Sequence, residues 1–223
     1  MNYQNKMEEI LESISDETPR LLLHCCCAPC SSYTLELLSN YFEITLYYYN
    51  PNIHPENEYT RRLQELQDFI KKFKTKNRVE LVEENYDTSD YFDKIKGLES
   101  LGEGSKRCFE CYKFRMEKGA SYAKKHNFDY FTTTLSISPY KNSTWINEIG
   151  EYLENKYDIK YLFCDLKKKN GFKRSLELSK IYGLYRQDYC GCIYSKQERE
   201  SKKVTHESVW EIRTFNRWKN KFN

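Results

Sequence analysis

Apolar residues fall along this chain in two alternating rhythms. Short, nearly continuous runs at residues 20–26 (RLLLHCC) and 43–50 (EITLYYYN) predict buried strands, the second stopped by Asn50-Pro51. Elsewhere the apolar spacing lengthens to three and four. Residues 57–73 set Tyr59, Leu63, Leu66, Phe69, Ile70 and Phe73 on one helical face with Lys and Arg between them. The same reasoning predicts helices over 31–40, 91–98, 108–126, 144–157 and 174–185, and strands over 79–86, 130–135 and 159–165. Residues 102–107 (GEGSKR) read as a flexible approach to Cys108, and Ser138-Pro139 as a turn. No internal repeat, low-complexity tract or Gly/Ser linker interrupts the order. Strands separated by helices of this length predict an α/β fold, a parallel sheet flanked by helices on both faces. In such folds ligands sit at the carboxyl ends of the strands.

Composition narrows the class. The 223 residues are 39% hydrophobic and 31% charged, which suits a single globular domain over 1–223 and excludes a disordered chain. Within it, 20–195 reads as the catalytic core and 196–223 as a basic C-terminal tail. No apolar run approaches the ~20 residues that cross a bilayer, and residues 1–20 lack the basic flank and apolar stretch of a signal peptide. The expectation is a cytoplasmic protein without membrane partners. A reducing compartment changes the meaning of nine cysteines, an odd number. They are expected as metal ligands or reactive thiols rather than disulfides. The net charge of +3 does not announce a nucleic-acid binder, although Lys and Arg outnumber Glu in the tail, interleaved with Trp210, Phe215, Trp218 and Phe222. That tail reads first as a solvated amphipathic helix, with RNA contact as the alternative.

The sulfur is grouped. "CCCAPC" supplies Cys25, Cys26, Cys27 and Cys30, "RCFECY" supplies Cys108 and Cys111, and "YCGCIYS" supplies Cys190 and Cys192. Residues three apart at a helix start share a face, so Cys108 and Cys111 can serve one centre. In Cys-Gly-Cys a short extended segment points both thiols the same way, and glycine lets the backbone approach a bound centre closely. Cys25 and Cys164 read as buried hydrophobes. Cys26, Cys27, Cys108, Cys111, Cys190 and Cys192 read as metal ligands. Six thiolates exceed the four of a tetrahedral zinc, which suggests an iron–sulfur cluster with something left for a second metal, while a dizinc site also satisfies the arithmetic.

Together with "YNPNIHPENEYTRRLQE" (residues 49–65), "FDYFTTTLSISPYKN" (128–142) and "DLKKKNGFKRSLELSKIYGLYRQDYCGC" (165–192), these groups resemble the epoxyqueuosine reductase QueH family over residues 22–195. The resemblance implies a Rossmann-like domain similar to the ATP-pyrophosphatase (adenine nucleotide alpha hydrolase-like) superfamily. It implies cobalamin-independent, two-electron deoxygenation of epoxyqueuosine to queuosine at the tRNA wobble position, the last step of queuosine biosynthesis. It implies a [4Fe-4S] cluster beside a mononuclear iron, a site zinc also suits, with electrons from an external donor such as ferredoxin or flavodoxin. Carried over, the ligands are Cys26, Cys27, Cys108, Cys111, Cys190 and Cys192. Cys30 joins as a further metal ligand at a position that is Asp in some members, a soft donor in place of a hard one. Ala28-Pro29 stands where the pyrophosphatases carry a phosphate-binding loop, which argues against ATP use.

An epoxide oxygen leaves only if its developing charge is met, so a proton donor is expected near the thiols. Asp188, Tyr189, Tyr140 and His54 are candidates, as is Lys141. Asp188 and Tyr189 serve equally as residues orienting the Cys-Gly-Cys loop, and His54 as a local hydrogen-bonding residue. Lys141, Arg174, Arg186 and Gln187 are candidates for holding base or phosphate, with residues 167–169 a lysine run that usually marks a solvated loop. A wobble base must be splayed out of its stack to be reached. The 20 tyrosines could supply stacking surfaces, although most are expected to pack. A zinc-stabilised RNA-binding protein without redox activity and an ATP-dependent tRNA thiolase remain alternatives.

Overall fold

The computed structural model describes residues 2–14 and 17–202. Its centre is β1 (Arg20–Cys25), in which Leu21, Leu22 and Leu23 are all buried because layers cover both faces. It pairs in parallel with β2 (Glu43–Tyr48) on one side and β4 (Tyr130–Thr133) on the other. β3 (Val79–Glu83) extends the sheet beyond β2 and β5 (Lys160–Tyr161) beyond β4, giving the all-parallel order β3-β2-β1-β4-β5. The chain therefore steps outward from β1, then crosses back to begin again at β4. This reversal opens a crevice at the carboxyl ends of β1 and β4, where α/β sheets bind ligands.

One layer contains α2 (Ala28–Leu38), α3 (Glu56–Lys72) and α7 (Gly171–Ile181), with α2 resting on both of the others. Leu35, Leu38, Leu66 and Phe69 bury into this core with Leu21 and Leu23. The opposite layer is α5 (Lys106–Lys125) against α6 (Ser143–Tyr157), where Met116, Ala120, Ile146 and Leu153 meet Leu22 and Phe131. The short α4 (Ser89–Lys94) sits against α5. The two layers and parallel sheet are the architecture the alternating pattern predicts.

Four local features depart from that prediction. An unpredicted α1 (Tyr3–Ser13) is capped by Asn2, whose Oδ1 accepts from the Gln4 and Asn5 amides, and it buries Met7 and Leu11 one turn apart. α2 starts three residues before the expected Ser31, since Pro29 is tolerated in a first helical turn. β4 ends at Thr133, whose hydroxyl accepts from the Leu135 amide at 3.2 Å and turns the chain into a 3-10 segment, Thr134–Ile137. Beyond β5 the expected strand loses its partner, and Asn147 takes over its hydrogen bonds. The Asn147 amide donates to the Cys164 carbonyl at 2.9 Å and its Oδ1 accepts from the Cys164 N–H at 3.0 Å.

Residues 193–202 are helical and form α8, the last helix among the described residues. The basic tail expected over 196–223 lies outside the described residues from 203 onward. Among the described residues no helix is long and apolar enough to cross a membrane.

Candidate metal centre

The first thiols leave the carboxyl end of β1. Cys25 turns into the core, as expected of a small hydrophobe, while Cys26 and Cys27 are buried beyond it and Cys30 is half-buried in the first turn of α2. The Cys26 and Cys27 Sγ atoms are 3.8 Å apart, and those of Cys26, Cys27 and Cys30 all lie within 4.8 Å of one another. That spacing suits three donors to a single ion. Hydrogen bonds from Cys27 and Cys30, helped by the Lys141 and Arg115 charges, hold the Cys26 thiol well below its ordinary pKa. Cys27 is pushed up to about 12, first by its hydrogen bond to Cys26. One thiolate thus forms readily, and an arriving cation draws out the others.

The second set is Cys108, Cys111, Cys190 and Cys192. α5 brings Cys108 and Cys111 together within its first two turns, both buried. Cys192, also buried, immediately precedes α8, and Cys190 is half-buried. Burial pushes Cys111 up to about 12 and Cys192 up to about 11, and the Cys190 thiol adds to both and to Cys108, which marks the four as mutual neighbours. Two backbone amides already face them: Gly104 N–H donates to Cys108 Sγ and Ser195 N–H to Cys192 Sγ, each at 3.4 Å. Cys27, Cys108 and Cys192 all stand at helix N-termini, where the peptide dipoles favour thiolate.

α5 and α8 are locked together by Glu198. Its carboxylate accepts from Arg107 Nη2 at 3.0 Å and from the Glu103 amide at 3.2 Å. The Cys-Gly-Cys loop is held from α3, where Arg62 Nη1 donates to the Cys190 carbonyl at 3.2 Å. Gly191 has φ +126°, and a Cβ there would stand 3.0 Å from Arg62 Nη1. The glycine therefore admits a close guanidinium, a more specific need than the general approach to a bound centre expected from sequence.

Arg62 is also a correction to the helical reading, which set the basic residues of this segment between its core positions. It is 0% exposed, its Nε bonded to Glu58 Oε1 at 2.7 Å and its Nη2 unpartnered. Three residues after Tyr59 and four before Leu66, it occupies the core face itself, a spacing visible in the sequence. Arg115, four residues after Cys111 and equally buried, escapes the same pattern reading.

A cavity of about 490 Å³ opens onto three of these thiols, Cys26, Cys30 and Cys190. Cys26 lines its buried side, Cys30, Cys190, Lys141, Gln187 and Tyr189 its half-buried walls, and Tyr140, Arg186 and Asp188 its exposed side. Gln187 Nε2 donates to Cys27 Sγ at 3.3 Å, leaving its Oε1 buried without a partner. Surrounding thiols, above all Cys190 and Cys26, keep Lys141 firmly charged against the cost of burial. Tyr189 donates to the His54 carbonyl at 2.9 Å, and the His54 amide donates to the Gly191 carbonyl at 2.8 Å. The structure thus uses His54 through its backbone, bracing the loop, and does not bring it to the cavity lining. Nor does it bring Arg174 there: that guanidinium grips Glu36 through two nitrogens and Glu177 through the third. Asp188 faces Arg199 at 3.6 Å, and Arg186 donates to Ser179 Oγ at 3.1 Å. Tyr47, Tyr48 and Tyr49 are buried, as expected of packing residues.

A cavity at the switch point of the sheet, lined by thiols of both groups, with three cysteines spaced so that they could hold a metal ion, defines an α/β protein with a thiol-rich site. A profile of the epoxyqueuosine reductase QueH family matches residues 21–198. Epoxyqueuosine reductase QueH of Streptococcus pyogenes serotype M1 is 44% identical over 199 residues, 87% of this chain and 78% of that protein. The protein of the same name from Staphylococcus epidermidis is 40% identical over 223 residues, covering 96% and 94%. That of Haemophilus influenzae is 42% identical over 187 residues, covering 83% and 75%. The chain belongs to the epoxyqueuosine reductase QueH family, and so to the oxidoreductases.

Proposed function

We propose that this chain deoxygenates epoxyqueuosine in the anticodon of tRNA, working in the cytoplasm with electrons from an external carrier such as ferredoxin or flavodoxin. The overall conversion takes two electrons and two protons: both carbon–oxygen bonds of the epoxide break, a carbon–carbon double bond forms, and the oxygen leaves as water. The observation that carries the reading is a cavity lined by Cys26 and Cys30 of the first thiol group and Cys190 of the second, in a chain of this family.

The donor sets suit two different inorganic partners. Cys26, Cys27 and Cys30 have the compact spacing for a single iron, with the cavity left on its open side. No three of Cys108, Cys111, Cys190 and Cys192 draw so close, which fits four thiolates each bonding a different iron of a [4Fe-4S] cluster. Such a centre carries negative charge, and buried donors already await it. Arg115 Nη2 and Arg107 Nε are both unpartnered in its neighbourhood. When bound, the cluster supplies electrons singly and the lone iron a Lewis acid.

The chain's own groups do the rest. The Lys141 ammonium, held charged, stabilises a negative oxygen better than it surrenders a proton. Tyr189 offers a hydroxyl proton at the cavity wall, and Gln187 offers its unpartnered Oε1 to a donor on the substrate. Tyr140 and Arg186, on the exposed side, present aromatic and guanidinium surfaces suited to a splayed base and its phosphate.

The test is anaerobic metal analysis of the wild-type chain and Cys108→Ala. The expected wild type is brown, bleaches with dithionite and converts epoxyqueuosine in tRNA. The variant keeps its fold by circular dichroism and loses the cluster absorbance. A colourless wild type with stoichiometric zinc and no turnover overturns the proposal in favour of a zinc-stabilised RNA-binding protein. An unchanged iron content in the variant removes Cys108 from the ligand set.

A further inference from the structure

Arg115 is a buried charge beside the second thiol group, with one donor left unpartnered. It is 1% exposed and lies one helical turn after Cys111 on α5. Its Nε donates to the Cys111 carbonyl at 3.4 Å and its Nη1 to Asn50 Oδ1 at 3.1 Å, while its Nη2 has no partner. Both acceptors are neutral. No carboxylate among the described residues forms an ion pair with it, in contrast to Arg62, whose charge is shared with Glu58 at 2.7 Å. A guanidinium does not escape burial by losing its proton, so a fold that hides one needs an anion nearby. The groups around it that can carry negative charge are thiols of both groups, Cys111, Cys190 and Cys26, with the Tyr112 hydroxyl, and the thiols become anions on binding metal.

Asn50 shows that this placement spans the two groups. Its Nδ2 donates to the carbonyl of Cys25, next to Cys26, at 2.8 Å. One hydrogen-bonded bridge thus runs from the Cys111 carbonyl through Arg115 and Asn50 to the end of β1. Arg115 does not line the cavity, so it acts on the centre and not on the substrate.

We infer that Arg115 is the internal counter-cation of the metal centre, a positioning residue between the two thiol groups that makes the centre easier to reduce. The inference rests on the metal centre proposed above. Each electron entering a thiolate-bound cluster adds a negative charge, and a fixed cation in a low-dielectric interior favours the reduced form over the oxidised one. Hydrogen bonds and charges just outside the ligands are among the levers that set cluster potentials.

The test uses the full chain reconstituted anaerobically with iron and sulfide, as wild type, Arg115→Gln and Arg115→Lys. Iron per chain, the visible spectrum and the midpoint of a redox titration are read on each. The expected result is that Arg115→Gln keeps its iron but binds the electron at least tenfold less strongly, a shift of about 59 mV to lower potential for one electron. Arg115→Lys, which keeps the charge, stays near wild type. Loss of iron from Arg115→Gln but not from Arg115→Lys also supports a requirement for charge. An unchanged midpoint in Arg115→Gln, or equal effects of Gln and Lys at this position on midpoint or iron, overturns the inference while the metal centre stands. A wild type that takes up no iron overturns the metal reading and this inference with it.

Discussion

Gly191 shows how one residue sets the geometry of the second thiol group. Its φ of +126° lies where L side chains are strained, and a methyl there would press on the Arg62 guanidinium at 3.0 Å and on Ile53 at 3.1 Å. Gly191→Ala is therefore expected to cost about 1–3 kcal/mol in backbone strain. The cost should appear in denaturant unfolding of the metal-free protein. The loaded protein should also release iron faster to a chelator, because Cys190 and Cys192 flank the distorted position. A variant with wild-type stability and iron retention would show that the loop tolerates another path. Cys30 illustrates a different point at the same scale. Its residue type alone marks it as a soft donor, yet only its place in the first turn of α2 shows that this thiol reaches the same small volume as Cys26 and Cys27.

At the scale of elements, helix N-termini organise the chemistry. α2, α5 and α8 each begin at a cysteine group, so three sets of unpaired amides and their dipoles converge on the sulfur. α1 makes the opposite kind of contribution. It precedes the segment matched by the family profile, and its role is packing: Met7 is 1% exposed within the same core as β1 and α2. Met7→Ala is expected to lower unfolding free energy by about 2–5 kcal/mol, the usual cost of emptying a core site. Chemical denaturation checks this, and a loss below about 1 kcal/mol would show that α1 is only loosely docked. The helix escapes sequence reading because its polar residues dominate. Only Tyr3, Met7, Ile10 and Leu11 mark its buried stripe, in a stretch that reads as merely acidic and polar.

For the molecule as a whole, the site faces one end of the sheet and must meet a polyanion there. Truncation after Lys202 tests whether the basic tail touches RNA while sparing α8, whose Glu198 and Arg199 contact Arg107 and Asp188. The shortened chain is expected to bind tRNA more weakly, with the slope of log affinity against log salt falling by about 1 for each phosphate the tail no longer neutralises. Filter binding or anisotropy across a salt series would show it, and an unchanged slope would assign the tail no part in RNA binding.

The chain's pattern by itself determined the order of strands and helices from β1 to α7, the parallel class of the sheet and the three places where sulfur gathers, because periodicity and residue type are local properties. The same local information read Cys25 and Cys164 as core residues, and both are buried. Tertiary structure alone decided which thiols stand within one ion's reach, that His54 works through its backbone and Arg174 through ion pairs, and that Arg62 and Arg115 lie buried beside sulfur. The physical reason is that burial and charge pairing depend on what folds back from far along the chain. Arg62 meets Cys190 across 128 positions of sequence, a separation no local pattern can span.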